Sequence, residues 1–188
     1  MWGSELAYTM IMTNMSLSIR QELRSDYEQI DALLGSAFQG KQEVVLVNQI
    51  RESQDYIPGL SFVAVDNNAI VGHLLFSKIQ LTFDSGEACQ ILSLAPLSVL
   101  PQHQKQGVGS ALVLHGLNEV RKSAYPLIVV VGHPQYYLKF DFVLAKPFGL
   151  RLKYEVPDNA FFVMEIEKGF LHQRSGLVEF PEYFDDAM

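Results

Sequence analysis

A short loop with two glycines, set between a strand-like apolar run and an amphipathic helix, constrains the fold more than any other feature of the chain. The loop spans residues 104–111 and reads Gln-Lys-Gln-Gly-Val-Gly-Ser-Ala. Gly107 and Gly109 allow backbone N–H groups to approach a ligand closely, and the N-terminus of the following helix carries a partial positive charge. This strand–loop–helix unit therefore predicts a binding site for a phosphate group.

The loop does not fit the two common nucleotide-binding patterns. A P-loop requires Gly-Lys followed by Ser or Thr, and a dinucleotide-binding loop requires a third glycine at the position of Leu112. A general nucleotide-binding protein is therefore an alternative that the loop disfavours.

The strand before the loop contains a proline, which limits how the strand can pair. Residues 91–99 are predicted to form this strand, and Pro96 has no N–H group to donate to a neighbouring strand. We expect the strand to be irregular or splayed there, which leaves backbone groups of Leu97 and Val99 available to an extended ligand that carries amides. Pantetheine pyrophosphate is such a ligand, and its pyrophosphate would lie on the loop.

The remainder of the chain predicts a mixture of strands and helices. Alternating residues 17–20 predict a first strand, and Ser25 with Glu28 predicts a capping box at the start of the first helix. Residues 56–59 are predicted to form a turn, and the β-branched run 127–131 is typical of a strand buried on both faces in a parallel arrangement. The further predicted elements are a helix at 43–51, hairpin strands at 61–65 and 69–76, a hairpin turn at 84–86, a helix at 109–122, and closing strands at 151–155 and 161–166.

Composition narrows the class of protein and its partners. The chain has 188 residues, of which 48% are hydrophobic and 19% charged, as expected for one globular domain. Its formal net charge of −7 argues against nucleic acid as the main partner. Cys89 is the single cysteine, so we expect neither a disulfide framework nor a cysteine-based zinc cluster, and we expect no metal in the site.

The sequence also carries a prediction about location. No apolar run approaches the length of a membrane span, and the first residues lack the features of a signal peptide. We therefore expect a cytoplasmic protein that does not contact a membrane. Residues 1–16 fit no predicted element and are interpreted as an N-terminal extension.

Taken together, the loop and its surroundings resemble the GCN5-related N-acetyltransferase (GNAT) superfamily, and its small bacterial members in particular. That family has the motif Gln/Arg-x-x-Gly-x-Gly/Ala after an irregular fourth strand, and Gln104, Gly107 and Gly109 occupy the motif positions. The resemblance covers residues 17–166 and implies an α/β fold with a mixed, mostly antiparallel central sheet. It also implies a splayed pair of fourth and fifth strands and helices on both faces, with residues 167–188 packed on the same domain.

The resemblance implies a function as well. Members transfer an acetyl group from acetyl-CoA to a primary amine by direct attack in a ternary complex, here a small-molecule or peptide amine, and the protein would be a monomer or homodimer. The backbone N–H of Leu97 would stabilise the oxyanion. A non-catalytic sensor of acyl-CoA is the alternative function. The implied cofactor-binding residues are Leu97, Val99, Gln104, Lys105, Gln106, Gly107, Val108, Gly109 and Ser110.

A tyrosine after the fifth strand is the predicted general acid. In the family, a tyrosine five residues before the last aromatic of a Tyr-x-x-x-Gly-Phe segment points toward the cofactor sulfur, and Tyr137 stands five residues before Phe142. A phenol with a pKa of about 10 stays protonated at neutral pH and can protonate a thiolate whose conjugate acid has a pKa of roughly 8–9. Asp141 replaces the usual glycine. The alternative interpretation is an aromatic patch that covers the sheet.

Three further residues are candidates for binding the amine or acting as a base. Asp84 and Glu87 lie in the hairpin before the splayed strand, and His133 follows the fifth strand. Carboxylates and imidazole are the groups that bind or deprotonate amines. A structural role is expected for His73, His115 and Cys89.

Overall fold

The computed structural model describes residues 17–38 and 40–187. The extension predicted for residues 1–16 lies outside the described residues. Within them, no helix is long and apolar enough to cross a membrane. The strands are β1 (Ser18–Gln21), β2 (Tyr56–Asp66), β3 (Ala69–Phe83), β4 (Ala88–Val99), β5 (Leu127–Val131), β6 (Val143–Leu144), β7 (Leu150–Leu152), β8 (Phe161–Glu165) and β9 (Gly176–Glu179). The helices are α1 (Tyr27–Phe38), α2 (Gln42–Glu52), α3 (Val108–Val120) and α4 (Pro134–Tyr137).

The described chain divides into two compact units. The first contains the described residues up to Phe76 together with Ala95–Lys122, and the second contains Ser77–Leu94 and the residues from Ser123 onward. Strands β3 and β4 each contribute residues to both units.

In the first unit the strands follow the order β1-β2-β3-β4, and β1 pairs antiparallel with β2. Helix α3 packs on one face, where the imidazole of His115 meets the ring of Phe62 edge-on with centroids 5.0 Å apart. A Cβ on Gly116 would lie 2.6 Å from a ring carbon of Phe76, so the glycine allows this close approach. The opposite face carries α2, whose Arg51 reaches side chains of β2 and β3 through a buried cluster described below.

Two local predictions in this unit are wrong. The first helix does not begin with a capping box of Ser25 and Glu28, because the Asp26 carboxylate accepts the N–H of Leu23 at 2.8 Å and a bidentate pair of bonds from Arg20 at 2.6 and 2.9 Å. A 3-10 turn at Arg24–Asp26 therefore precedes α1. The turn predicted at residues 56–59 is the beginning of β2, since strand pairing overrides the local turn preference of Pro-Gly.

In the second unit the order is β3-β4-β5-β8-β6. Strand β5 runs parallel to β4, with Leu92 opposite Ile128 and Ser93 opposite Val129, and antiparallel to β8. The expected fold class is confirmed, because the sheet is mixed, mostly antiparallel and contains a short parallel β4–β5 pair. Strands β7 and β8 lie near the two predicted closing strands, but they pair with different strands. Strand β8 pairs with β5 and β6, whereas β7 pairs with β9, which in turn pairs with β3.

Candidate active site

The glycine loop of the first unit forms the N-terminus of α3. Gly107 adopts a left-handed conformation with φ 92° and ψ −9°, and Lys105 has φ 59°. The first helical hydrogen bond runs from the N–H of Ala111 to the carbonyl of Gly107 at 2.9 Å. The N–H groups of Val108 and Gly109 precede this bond and are not used by the helix. Left-handed residues beside unused N–H groups form the concave surface that binds phosphate oxygens.

The two glutamines of the loop have a structural role in this arrangement. The side-chain amide of Gln104 donates to the carbonyl of Val99 at 3.1 Å, and that of Gln106 donates to the carbonyl of Gln102 at 2.8 Å. These bonds hold the loop in its shape. Lys105 is exposed and, in the described part of the chain, has no carboxylate partner. The loop therefore suits a diphosphate, with backbone N–H groups for its oxygens and one ammonium group for its charge.

The end of β4 directs backbone groups away from β3. The N–H of Leu100, directly after β4, donates to the carbonyl of Val71 on β3 at 2.9 Å. Successive residues of an antiparallel strand alternate between bonding to one neighbour and facing the other edge. The N–H groups of Val99 and, two residues earlier, Leu97 therefore face the edge opposite β3, as pairing with an extended ligand requires.

Tyr137 belongs to the second unit and is 8% exposed. Its ring packs edge-on against Phe142, with centroids 5.8 Å apart, and lies 6.2 Å from the ring of Phe162. A Cβ on Gly132 would come within 2.5 Å of the Tyr137 ring, so this glycine makes room for it. Asp141 has φ 68°, the left-handed conformation that the usual glycine of the family would supply. The turn that carries Tyr137 is thus formed with aspartate.

The hydroxyl of Tyr137 stays protonated. Burial, with a smaller contribution from Tyr136, raises the pKa of the Tyr137 hydroxyl well above its usual value of about 10. The hydroxyl is therefore a protonated donor at every physiological pH.

The carboxylate of Asp84 forms an ion pair with Arg151. Its carboxylate accepts bonds from Arg151 at 2.5 and 3.2 Å and from the hydroxyl of Ser175 at 2.5 Å. The bonds from Arg151, followed by that from Ser175, lower the pKa of the Asp84 carboxyl to about 2. This cluster joins the hairpin to the segments around β7 and β9.

The three candidate amine-binding residues do not lie together. His133 immediately precedes α4 and Tyr137, at the C-terminal end of β5. Asp84 and Glu87 precede β4, which is parallel to β5, so they lie at the opposite end of these strands. The part of β4 from residue 88 to residue 93 alone spans roughly 17 Å at 3.3 Å per residue. Of the three, His133 is the one that the structure places beside Tyr137.

A buried charged cluster in the first unit was not predicted from the sequence. Glu22 accepts bonds from Arg51 at 3.0 and 3.2 Å and from the hydroxyl of Tyr56 at 2.7 Å. The Nε2 atom of His73 lies 2.9 Å from the Glu22 carboxylate and 3.2 Å from the hydroxyl of Ser61. The side chains of Glu22 and His73 are 0% exposed and that of Arg51 is 3% exposed. The one signal in the sequence was a histidine inside the apolar strand run of β3.

The protonation states in this cluster follow from its contacts. Burial opposes the charged form of Glu22, but bonds from His73 and Arg51 outweigh it and hold the pKa of Glu22 far below its usual value. Burial lowers the pKa of His73, although Glu22 opposes this effect. A neutral imidazole that donates its Nε2–H to the Glu22 carboxylate agrees with both directions. Its Nδ1 atom is buried without a partner among the described residues.

The chain is similar in sequence and in structure to known proteins. Residues 18–145 match the family described as acetyltransferase (GNAT) domain. The chain is 34% identical over 168 residues to the uncharacterized N-acetyltransferase YhbS of Escherichia coli K12, which covers 89% of this chain and 98% of that protein. The crystal structure of Escherichia coli YhbS in complex with CoA has a TM-score of 0.82 and 33% identity, over 90% of this chain and 92% of that one. A GNAT family acetyltransferase from Brucella melitensis in complex with acetyl-CoA has a TM-score of 0.73 and 25% identity, over 90% and 98% of the two chains.

Proposed function

Because the chain belongs to the GNAT acetyltransferase family, we propose how its own residues bind acetyl-CoA and transfer the acetyl group to a primary amine. The protein is a CoA-dependent N-acetyltransferase with acetyl-CoA as the acetyl donor. The residues that carry the reaction and the identity of the amine are the proposal. Residues 17–166 would form the GNAT-like domain, and residues 167–188 would pack on it, as the pairing of β9 with β3 supports.

The cofactor is proposed to bind along the end of β4 and the loop that follows. The observation that carries this proposal is the left-handed Gly107 at the start of α3, with the unused N–H groups of Val108 and Gly109 behind it. The diphosphate would lie on these N–H groups and those of Gln106 and Ser110, beside the ammonium group of Lys105. The amides of pantetheine would pair with Leu97 and Val99, and Gln104 would hold the loop in position.

The transfer is proposed to be a direct attack. A neutral amine nitrogen forms a bond to the thioester carbonyl carbon, and the N–H of Leu97 donates to the oxygen that becomes negatively charged. The C–S bond then breaks, and Tyr137 gives its proton to the departing thiolate. The nitrogen releases its surplus proton to solvent, from which Tyr137 regains one. The products are the N-acetylated amine and CoA with a free thiol.

The raised pKa of Tyr137 affects how readily its hydroxyl can donate a proton to the thiolate. A hydroxyl with a pKa above that of an ordinary thiol is a weak donor to a thiolate in water. The surroundings that raise the pKa of Tyr137 would also destabilise a thiolate placed beside it and raise the pKa of the thiol. The proton affinities of donor and acceptor would therefore approach one another at the reacting centre.

A non-catalytic sensor of acyl-CoA is the second candidate function. A sensor would need the loop at residues 104–110 but would have no need of a proton donor. The protonated hydroxyl of Tyr137, a residue that is 8% exposed, favours the enzyme. The cytoplasmic location and the monomeric or homodimeric state remain predictions.

Thermal unfolding tests the assignment of the loop. Acetyl-CoA or CoA at about 100 times Kd is expected to raise Tm by roughly 5–10 °C, because a ligand that binds only the folded state stabilises it. ATP at the same concentration is expected to have a much smaller effect. Stabilisation by ATP without stabilisation by CoA would reject the proposed cofactor site.

Gly107→Ala tests the conformation of the loop. A Cβ in the left-handed region costs about 1–2 kcal/mol, so we expect the free loop of the variant to leave this conformation. Binding of CoA must then restore it, which raises the Kd, measured by calorimetry, about 5- to 30-fold. Gly86→Ala is the matched control, because Gly86 has φ 89° and nothing lies within 4 Å of its absent Cβ. The control is expected to bind CoA like the wild type. Equal losses of affinity in both variants would show that general destabilisation, not the loop, is responsible.

A further inference from the structure

Gly72, near the start of β3, lies directly against the first turns of α3. It belongs to the first unit, together with the glycine loop and the end of β4. A Cβ on Gly72 would lie 3.0 Å from Cγ1 of Val108 and 2.9 Å from Cδ1 of Leu112. Val108 is the first residue of α3, and Leu112 lies about one turn further along it. The absence of a side chain at position 72 therefore allows the N-terminus of α3 to approach the sheet closely.

The same glycine also lies against the end of β4. Its absent Cβ would be 3.3 Å from the carbonyl oxygen of Ser98. Ser98 stands between Leu97 and Val99, the two residues proposed to pair with pantetheine. The hydrogen bond from Leu100 to the carbonyl of Val71 fixes this end of β4 to β3 beside the glycine. One small residue thus contacts both parts of the proposed cofactor site.

The groups around Gly72 have no room to turn away from an added side chain. Val108 is 1% exposed and Leu112 is 0% exposed, and the Ser98 contact is with the backbone of a strand. Because protein interiors are close-packed, an added methyl group displaces its neighbours and does not fill empty space. A methyl group at position 72 would therefore move the start of α3 away from β3, and with it the unused N–H group of Val108.

We propose that Gly72 is a positioning residue that holds the diphosphate-binding loop in register with the end of β4. The inference rests on the proposed function, because it requires one CoA molecule to contact both parts of the site. Gly72 does not contact the cofactor in this arrangement and acts through Val108 and Ser98. The diphosphate and the pantetheine amides are covalently joined, so a shift of the loop relative to β4 prevents both from being bound in their best positions at once.

Gly72→Ala tests the proposal in the intact protein. Alanine fits the backbone of a strand, so the added methyl group is the only change. We expect the Kd for CoA, measured by calorimetry, to rise about tenfold, which corresponds to about 1.4 kcal/mol. The KM for acetyl-CoA is expected to rise by a similar factor, with kcat at saturating acetyl-CoA within about twofold of the wild type, because uniform binding is lost. The added methyl group is also expected to lower Tm by roughly 3–10 °C.

Gly116→Ala is the matched control, because it crowds the same contact between α3 and β3 at a distance from the loop. A Cβ on Gly116 would lie 2.6 Å from a ring carbon of Phe76 and 2.8 Å from Cδ2 of Leu74. Gly116 follows Val108 by eight residues, which is about 12 Å along the helix. We expect a decrease in Tm at least as large as in Gly72→Ala, with the Kd for CoA within about twofold of the wild type. An equal rise in Kd in both variants would overturn the proposal, because general loosening of α3 would then explain it.

The double variant Gly72→Ala/Leu112→Val keeps the test decisive if the single variant does not fold. It adds one carbon atom and removes one at the tightest contact, and it retains the contacts of the new Cβ with Val108 and Ser98. We expect its Kd for CoA to be about three- to tenfold above that of the wild type. A wild-type Kd in either variant of position 72 would overturn the role of Gly72 while the cofactor site stands. A wild-type protein that does not bind CoA would reject the proposed function itself.

Discussion

Tyr137→Phe is expected to lower kcat by about two orders of magnitude or more, and to leave the Kd for CoA within about twofold of the wild-type value. The substitution removes the proton donor and keeps the ring that packs against Phe142 and Phe162. Steady-state kinetics with a saturating amine and calorimetric titration of CoA separate the two quantities.

Tyr136→Phe is the matched control for this prediction. Tyr136 is the adjacent residue and its ring packs edge-on against that of Tyr137, with centroids 5.2 Å apart, so loss of its hydroxyl is a similar chemical change at a neighbouring position. We expect its kcat to stay close to that of the wild type. An unchanged kcat in Tyr137→Phe, or an equal loss in both variants, would remove Tyr137 as the specific proton donor.

Glu22→Ala is expected to lower the free energy of unfolding by about 3–5 kcal/mol, because it removes the nearer carboxylate partner of the buried Arg51 guanidinium group, which keeps only the longer contact to Asp31 at 3.4 Å, and it also removes the acceptor of the Tyr56 hydroxyl. The corresponding decrease in Tm is roughly 6–20 °C for a chain of this size. Urea unfolding measures the free energy directly. Glu52→Ala, at an exposed position of α2, is the control and is expected to change it by less than about 0.5 kcal/mol.

The same cluster predicts how stability depends on pH. The pKa values of His73 and Glu22 are both lower in the folded protein than in the unfolded chain. As the pH falls, the unfolded chain therefore binds protons first, at about pH 6.5 for histidine and about pH 4.3 for glutamate. Stability is fully present above about pH 7, decreases below pH 6.5 and decreases further below about pH 4.5.

Urea midpoints measured from pH 8 to pH 5 test this dependence. The wild type is expected to become less stable from pH 7 to pH 5, and His73→Gln is expected to show a flatter profile over that interval because it has no imidazole to titrate. Increasing wild-type stability toward pH 5, or parallel profiles for the two proteins, would contradict the assigned state of His73.

Local periodicity predicted the elements that depend on neighbouring residues in sequence. The β-branched run at Leu127–Val131 forms a strand with the predicted bounds, and α3 begins one residue before the predicted start. The turn predicted at residues 56–59 was wrong because strand pairing, which depends on residues distant in sequence, makes this segment the beginning of β2. The capping box was wrong because a competing local contact forms instead: Asp26, held by Arg20 six residues before it, accepts the N–H of Leu23.

The same distinction applies to the candidate site. The loop at Gly107 and the tyrosine near Gly132 are local patterns, so the sequence indicated both. The partner of Asp84 is Arg151, 67 residues away, and the partner of His73 is Glu22, 51 residues away. No local pattern connects such pairs. The sequence therefore suggested Asp84 as an amine-binding group, whereas in the structure its carboxylate forms an ion pair with Arg151.

The most direct test of direct acetyl transfer is mass spectrometry of the protein and the amine after a single turnover. The purified enzyme is mixed with one equivalent of acetyl-CoA, first alone and then with 2-phenylethylamine, spermidine and a lysine-containing peptide in separate samples. Direct attack in a ternary complex predicts unmodified enzyme throughout, with acetylated amine and free CoA thiol in equal amounts when an acceptor is present. An acetylated enzyme that forms without amine and then passes its acetyl group to the amine would contradict this mechanism.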